Sequence, residues 1–132
     1  MNKDCDGWPL GDGQFWFHVK ILNENNSQVV SIYDSGSWKS YGDGDTKKIN
    51  VTKTFSMPRT MGKKFTVQLI SWEQDHDLFG KGYYDSRMNG KTASGTHSFS
   101  SSGTWSNIYG TRYISTGDNN CNVGLRYTVT IQ

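Results

Sequence analysis

Apolar and polar residues alternate along several short segments of this chain, which is the pattern of half-buried β-strands. The alternation is clearest over residues 14–22, 65–72 and 123–131, and weaker matches cover residues 29–33, 48–57 and 96–100. Residues 104–109 and 111–115 fit a hairpin that turns at Gly110. No segment has the periodicity of a helix. We therefore predict an all-β fold, an antiparallel two-sheet β-sandwich of about seven to eight strands.

The composition is that of a single β-rich domain. A chain of 132 residues is long enough to bury roughly two-thirds of its unfolded surface in one core, so residues 1–132 are predicted to form one domain. Hydrophobic residues make up only 33% of the chain but aromatic residues reach 14%, so aromatic side chains must supply much of the buried area. The 15 glycines suit many short strands that are joined by turns.

Charge and motifs exclude several classes of function. The net charge is +2 and no run of Lys or Arg exceeds two residues, so we expect no nucleic-acid interface. No apolar run approaches the ~20 residues of a membrane-spanning helix, and the first residues lack the apolar core of a signal peptide. The three histidines share no metal-ligand spacing, and no nucleophile elbow or phosphate-binding glycine loop is present. We therefore expect no enzymatic activity.

The two cysteines, Cys5 and Cys121, stand near opposite ends of the chain. A disulfide between them would close a loop of roughly a hundred residues, for which the chain-entropy model gives about 4–5 kcal/mol of stabilisation. Such a bond requires an oxidising compartment, so we expect a secreted protein or one on the extracellular surface. The alternative is a pair of free, buried thiols.

An acidic segment follows the strand predicted over residues 65–72. Glu73, Asp75 and Asp77 occupy every second position, Gly80 follows them, and Asp85 lies a little further on. A strand that delivers carboxylates into a turn presents hard oxygen ligands at the rim of a sheet, and calcium prefers such ligands. The segment is therefore either a calcium site or a polar hairpin loop that its charges keep in solvent.

Two stretches, residues 4–19 and 65–85, resemble the calcium-dependent C2 domains. An acidic, glycine-bearing segment leads into a strand at residues 6–17, and an aspartate-rich loop closed by Leu78, Phe79 and Gly80 follows a second strand. The resemblance implies a C2-like β-sandwich that binds calcium and, through it, membrane phospholipid. The calcium ligands that it implies are Glu73, Asp75, Asp77, Asp85 and one of Asp6 or Asp12.

Aromatic and apolar residues in the predicted loops separate two recognition functions. Side chains beside the acidic rim would enter a membrane interface, whereas a flat aromatic platform would stack on the sugar rings of a cell-surface glycan, as in a lectin. A third possibility is a subunit or attachment domain of a secreted toxin or adhesin. The predicted membrane contacts are Trp8, Leu78 and Phe79. The predicted sugar contacts are Trp38, Tyr41 and Trp105.

Overall fold

The computed structural model describes residues 13–42, 44–76, 82–119 and 121–132, and for residues 13, 75, 76 and 85–87 it describes the backbone alone. Within these ranges the chain forms seven β-strands and no helix, which confirms the predicted all-β class. The strands are β1 (Gly13–Leu22), β2 (Gln28–Asp34), β3 (Lys39–Tyr41), β4 (Lys64–His76), β5 (Gly82–Ser98), β6 (Thr111–Gly117) and β7 (Asn122–Thr128).

The strands form two antiparallel sheets. The larger sheet has the order β2-β1-β4-β5, and β3 pairs with β1 beside β2. Strand β1 therefore has β4 along one edge, while β3 pairs with its first three residues and β2 with its second half along the other edge. Strands β6 and β7 form the second sheet, a two-stranded hairpin. Two antiparallel sheets are the coarse arrangement that the sequence predicted.

One hydrophobic core joins the inward-facing side chains of both sheets. Successive residues of a strand point to opposite faces, and the core-facing residues of β1 and β4 lie an even number of positions apart, as Phe15 and Val19 do in β1 and Phe65 and Val67 do in β4. Val123 of β7, with 1% of its surface exposed, belongs to the same cluster. Full burial of each such side chain contributes about 1.5–3 kcal/mol of transfer free energy.

The strand predicted over residues 48–57 is absent. This segment has no regular structure, yet Phe55 and Met57 still pack against the core. Phe55 meets Phe65 edge-to-face with 5.2 Å between ring centroids. Spaced apolar side chains in this segment therefore reach the core without any ladder of backbone hydrogen bonds, and this is why their alternation gave the wrong prediction.

The prediction of a hairpin that turns at Gly110 is also wrong. Strand β6 pairs with β7 instead, from Thr111 opposite Thr128 to Gly117 opposite Asn122. The matching alternation of the two strands gives this hairpin an inward apolar face that joins the core. Gly117 begins the turn between the strands. Its φ is 113°, a backbone conformation that residues other than glycine rarely adopt.

Candidate functional site

Four aromatic residues lie on the face of the larger sheet that is turned away from the core. Trp16 of β1 is directly opposite Trp72 of β4, so their side chains share one face. Trp38, which precedes β3, packs edge-to-face against Trp16 with 5.8 Å between ring centroids. Tyr84 of β5 lies 5.7 Å from Trp38 and is 57% exposed. Trp16, Trp38, Trp72 and Tyr84 are called the outer-face cluster.

The end of β2 holds this cluster in place. One carboxylate oxygen of Asp34, Oδ1, accepts a hydrogen bond of 2.8 Å from the indole Nε1 of Trp16 and another of 2.8 Å from the backbone N of Gly36. The second bond forms a turn of the type that aspartate commonly makes with the residue two positions later. Gly36 has a φ of 70°, and the chain then reaches Trp38. Asp34 therefore orients one tryptophan and shapes the turn that positions another.

Polar side chains surround the aromatic rings. The amide Nε2 of Gln14 donates a hydrogen bond to the hydroxyl Oγ of Ser40 on the neighbouring strand. His18 Nε2 lies 3.1 Å from the Ser31 hydroxyl on the same face. Amide, hydroxyl, imidazole and carboxylate groups are thus available next to partly exposed aromatic surface.

The rings of the outer-face cluster are not coplanar. The planes of Trp16 and Trp38 meet at 87°, and those of Trp38 and Tyr84 meet at 52°. Together the rings form a stepped apolar surface with a polar rim. Such a surface complements a ligand that has both an apolar face and many hydroxyl groups.

The structure places the three predicted sugar-stacking residues apart. Trp38 belongs to the outer-face cluster, but Tyr41 and Trp105 are only 8% and 7% exposed and belong to the core. Tyr41 packs edge-on against Phe17, 5.4 Å away, and burial raises the pKa of its hydroxyl. Trp105 lies 5.3 Å from Phe65. The predicted platform is therefore corrected, and only Trp38 retains a place on the surface.

Sequence reasoning missed the other members of the outer-face cluster. The signal for Trp16 was its position among Gln14, His18 and Lys20 on the polar side of the first strand, where an aromatic residue has no core to enter. Tyr84 had no comparable signal, because the register of β5 against β4 contains irregularities on both sides of Trp72. That register sets which side chains of β5 face outward.

The predicted calcium ligands fall largely outside the described side chains. Glu73 is the exception; it lies within β4 rather than in a loop, and it is completely buried. Asp6, Asp12 and Asp77 lie outside the described residues, as do Trp8, Leu78 and Phe79. Asp75 and Asp85 are described by their backbone alone. The side chains that the structure describes include no group of three His, Cys, Asp or Glu able to hold a metal ion. The calcium site therefore stays a prediction.

The predicted disulfide also stays a prediction. Cys121 is completely buried at the end of the turn that leads into β7. Its backbone N donates a 2.8 Å hydrogen bond to the Asp118 carboxylate. The predicted partner Cys5 lies outside the described residues.

No protein-family model, curated protein or solved structure matches this chain. In the part of the chain that the structure describes, none of the elements is a helix of the length and apolarity that a membrane span requires.

Proposed function

We propose that the protein is a non-catalytic, lectin-like module that binds a carbohydrate on the outer face of its larger sheet. The observation that carries the proposal is the outer-face cluster, in which Trp38 contacts both Trp16 and Tyr84 on a solvent-facing sheet surface. Single exposed aromatic residues are ordinary, whereas a contiguous exposed apolar patch with a polar rim indicates a binding surface.

The chemistry of the patch favours a sugar over a purely apolar partner. Aromatic rings provide apolar contact area with few rotatable bonds, so ordering them costs little entropy. The C–H face of a pyranose ring would lie against Tyr84 or Trp38, and its hydroxyl groups would exchange hydrogen bonds with Gln14, Ser40 and Asp34. The hydrogen bonds among these polar groups orient them before any ligand arrives, which lowers the cost of binding.

A glycan array that compares the wild-type protein with two variants tests this function. Trp38→Ala removes the ring that contacts both Trp16 and Tyr84, and truncation of such a central aromatic residue typically costs more than about 1 kcal/mol. We expect binding at least about fivefold weaker. Tyr109→Ala is the matched control, since Tyr109 is 80% exposed and lies outside the outer-face cluster. An array without signal, or equal losses for the two variants, would contradict the proposal.

The finer architecture is part of the same proposal. Two antiparallel sheets that share one core support a β-sandwich, and the resemblance at residues 4–19 and 65–85 favours a C2-like one. Calcium-dependent binding of phospholipid through Asp75 and Asp77 is a separate prediction from that resemblance. Attachment within a secreted toxin or adhesin would be compatible with sugar binding on a host surface.

A further inference from the structure

A second site is a cavity of about 220 Å³ between the last part of β5 and the hairpin of β6 and β7. This volume is below the about 300–1,000 Å³ of sites that hold drug-sized ligands, so its occupant would be about the size of one small ring. The lining residues whose polar side chains give the cavity its chemistry are His97, Asn107, Arg112 and Tyr127. None of them belongs to the outer-face cluster.

Arg112 brings a positive charge to this cavity. The side chains of β6 alternate between exposed and partly buried, and Arg112 is on the partly buried side with Ile114. It is directly opposite Tyr127 of β7. Among the described residues, no carboxylate forms an ion pair with Arg112 and no side chain accepts a hydrogen bond from it. A partly desolvated cation without a counter-charge is costly, so a bound anion would stabilise this arrangement.

Tyr127 supplies a hydrogen-bond acceptor. The ring nitrogen Nδ1 of His97 lies 3.0 Å from the carbonyl oxygen of Ser106, which can only accept, so Nδ1 carries the proton. A neutral imidazole then accepts at Nε2, and the Tyr127 hydroxyl, 2.9 Å away, donates to it. This bond uses the hydroxyl proton and leaves only oxygen lone pairs for a ligand. Burial lowers the pKa of His97, in agreement with the neutral form.

We propose that this cavity binds a small hydroxylated carboxylate, the chemical class to which acidic sugars belong. The carboxylate would pair with the Arg112 guanidinium, whose planar array of donors fits two carboxylate oxygens. A ligand hydroxyl would donate to the Tyr127 oxygen, and the Asn107 amide can donate or accept beside it. The proposal does not rest on sugar binding at the outer-face cluster, because the two sites share no residue.

Calorimetric titration with sodium D-glucuronate tests the proposal. D-glucose, which lacks the carboxylate, and sodium acetate, which lacks the hydroxyl groups, serve as paired probes at the same ionic strength. We expect saturable binding of glucuronate and at least tenfold weaker binding of the other two. Equal binding of glucose would overturn the role of the charge, and equal binding of acetate would overturn the role of the hydroxyl group.

Two variants of equal charge locate the binding. Arg112→Gln is expected to weaken glucuronate binding at least tenfold. Arg126→Gln removes the same charge from the exposed side of the same hairpin, where Arg126 lies 5.1 Å from the centre of the Tyr113 ring, and should change binding less than twofold. If Arg112→Gln does not fold, the glucuronate and glucose titrations of the wild-type protein still decide. Absence of glucuronate binding, or equal binding by both variants, would overturn the proposal, while the effect of Trp38→Ala on glycan binding is decided separately.

Discussion

The buried imidazole of His97 makes the stability of the protein depend on pH. The ring is 1% exposed and stacks on Phe65 with 4.8 Å between centroids. Burial is the main cause that lowers its pKa, and the nearby Arg112 charge lowers it further. In the unfolded chain a histidine titrates near pH ~6.5, so just below this pH the unfolded chain binds the extra proton first. The contribution of the neutral His97 side chain to the free energy of unfolding is therefore fully present above pH ~6.5. It is lost as the pH is lowered towards the pKa of His97 in the folded protein.

Urea unfolding between pH 7.5 and pH 5 measures this effect. One such group changes the free energy of unfolding by at most about 1.4 kcal/mol per pH unit. His97→Gln should remove most of the slope, whatever it does to the stability at pH 7.5. His18→Gln, a change on the outer face, should preserve the slope. A slope that is the same in the His97 variant would assign the pH dependence to other groups.

At the scale of elements, the contact between β5 and β7 depends on the absence of a side chain at Gly95. A Cβ atom at this position would meet the hydroxyl of Tyr127 and come within 3.4 Å of Ile114. Gly95→Ala should therefore lower the free energy of unfolding by about 1–3 kcal/mol, the usual cost of overpacking. Chemical denaturation gives the value.

A double-mutant cycle identifies the cause of that loss. In a Tyr127→Phe background the clashing hydroxyl is absent, so Gly95→Ala should cost clearly less than it does in the wild-type protein. An identical cost in both backgrounds would mean that Tyr127 is not the obstacle.

The elements also show what the sequence could and could not predict. β7 alternates strictly, and β1 and β4 alternate with interruptions such as Trp16 and Ile70. All three strands were predicted, although β7 ends at Thr128 rather than at residue 131. In contrast, side chains of residues 48–57 reach the core although this segment pairs with no strand. Strand β6 pairs with β7 and not with residues 104–109, which are nearer in the sequence. Local pattern determines which side chains seek burial, but the partner that covers them is decided by contacts between distant parts of the chain.

The same limit applies to the candidate site. Trp38 and Trp105 were both predicted to stack on sugar rings; Trp38 is partly exposed in the outer-face cluster, but Trp105 enters the core beside Phe65 and Phe99. Both stand in glycine- and serine-rich segments, so composition does not distinguish them. The sequence contains no pattern that indicates the cavity at Arg112, because this cavity exists only where the hairpin of β6 and β7 meets β5.

At the scale of the whole molecule, the predicted calcium site would join segments from both stretches that resemble a C2 domain. A ligand that binds only the folded state at a hundred times its dissociation constant adds about 2.7 kcal/mol, which raises the melting temperature by several degrees in a domain of this size. We expect such a rise in millimolar calcium and none in magnesium.

A paired substitution connects this rise to the predicted ligands. Asp75→Asn together with Asp77→Asn should abolish the calcium effect, and Asp34→Asn, an acid at the end of β2, should leave it unchanged. Equal melting temperatures of the wild-type protein in chelator and in calcium would contradict the predicted calcium site. The proposals for the outer-face cluster and for the cavity at Arg112 would be unaffected.

The central position of β1 also determines how the chain must assemble. Its pairing with β4 places Trp16 opposite Trp72, residues that are far apart along the chain, and the intervening segment must close into a loop before this pair can form. Folds dominated by such distant pairings fold slowly, in milliseconds to seconds. Because the two indoles come together only when β1 meets β4, their share of the intrinsic fluorescence is expected to change at this assembly step. The surface proposed for recognition thus contains two tryptophans whose fluorescence can be used to follow the pairing of β1 with β4 during folding.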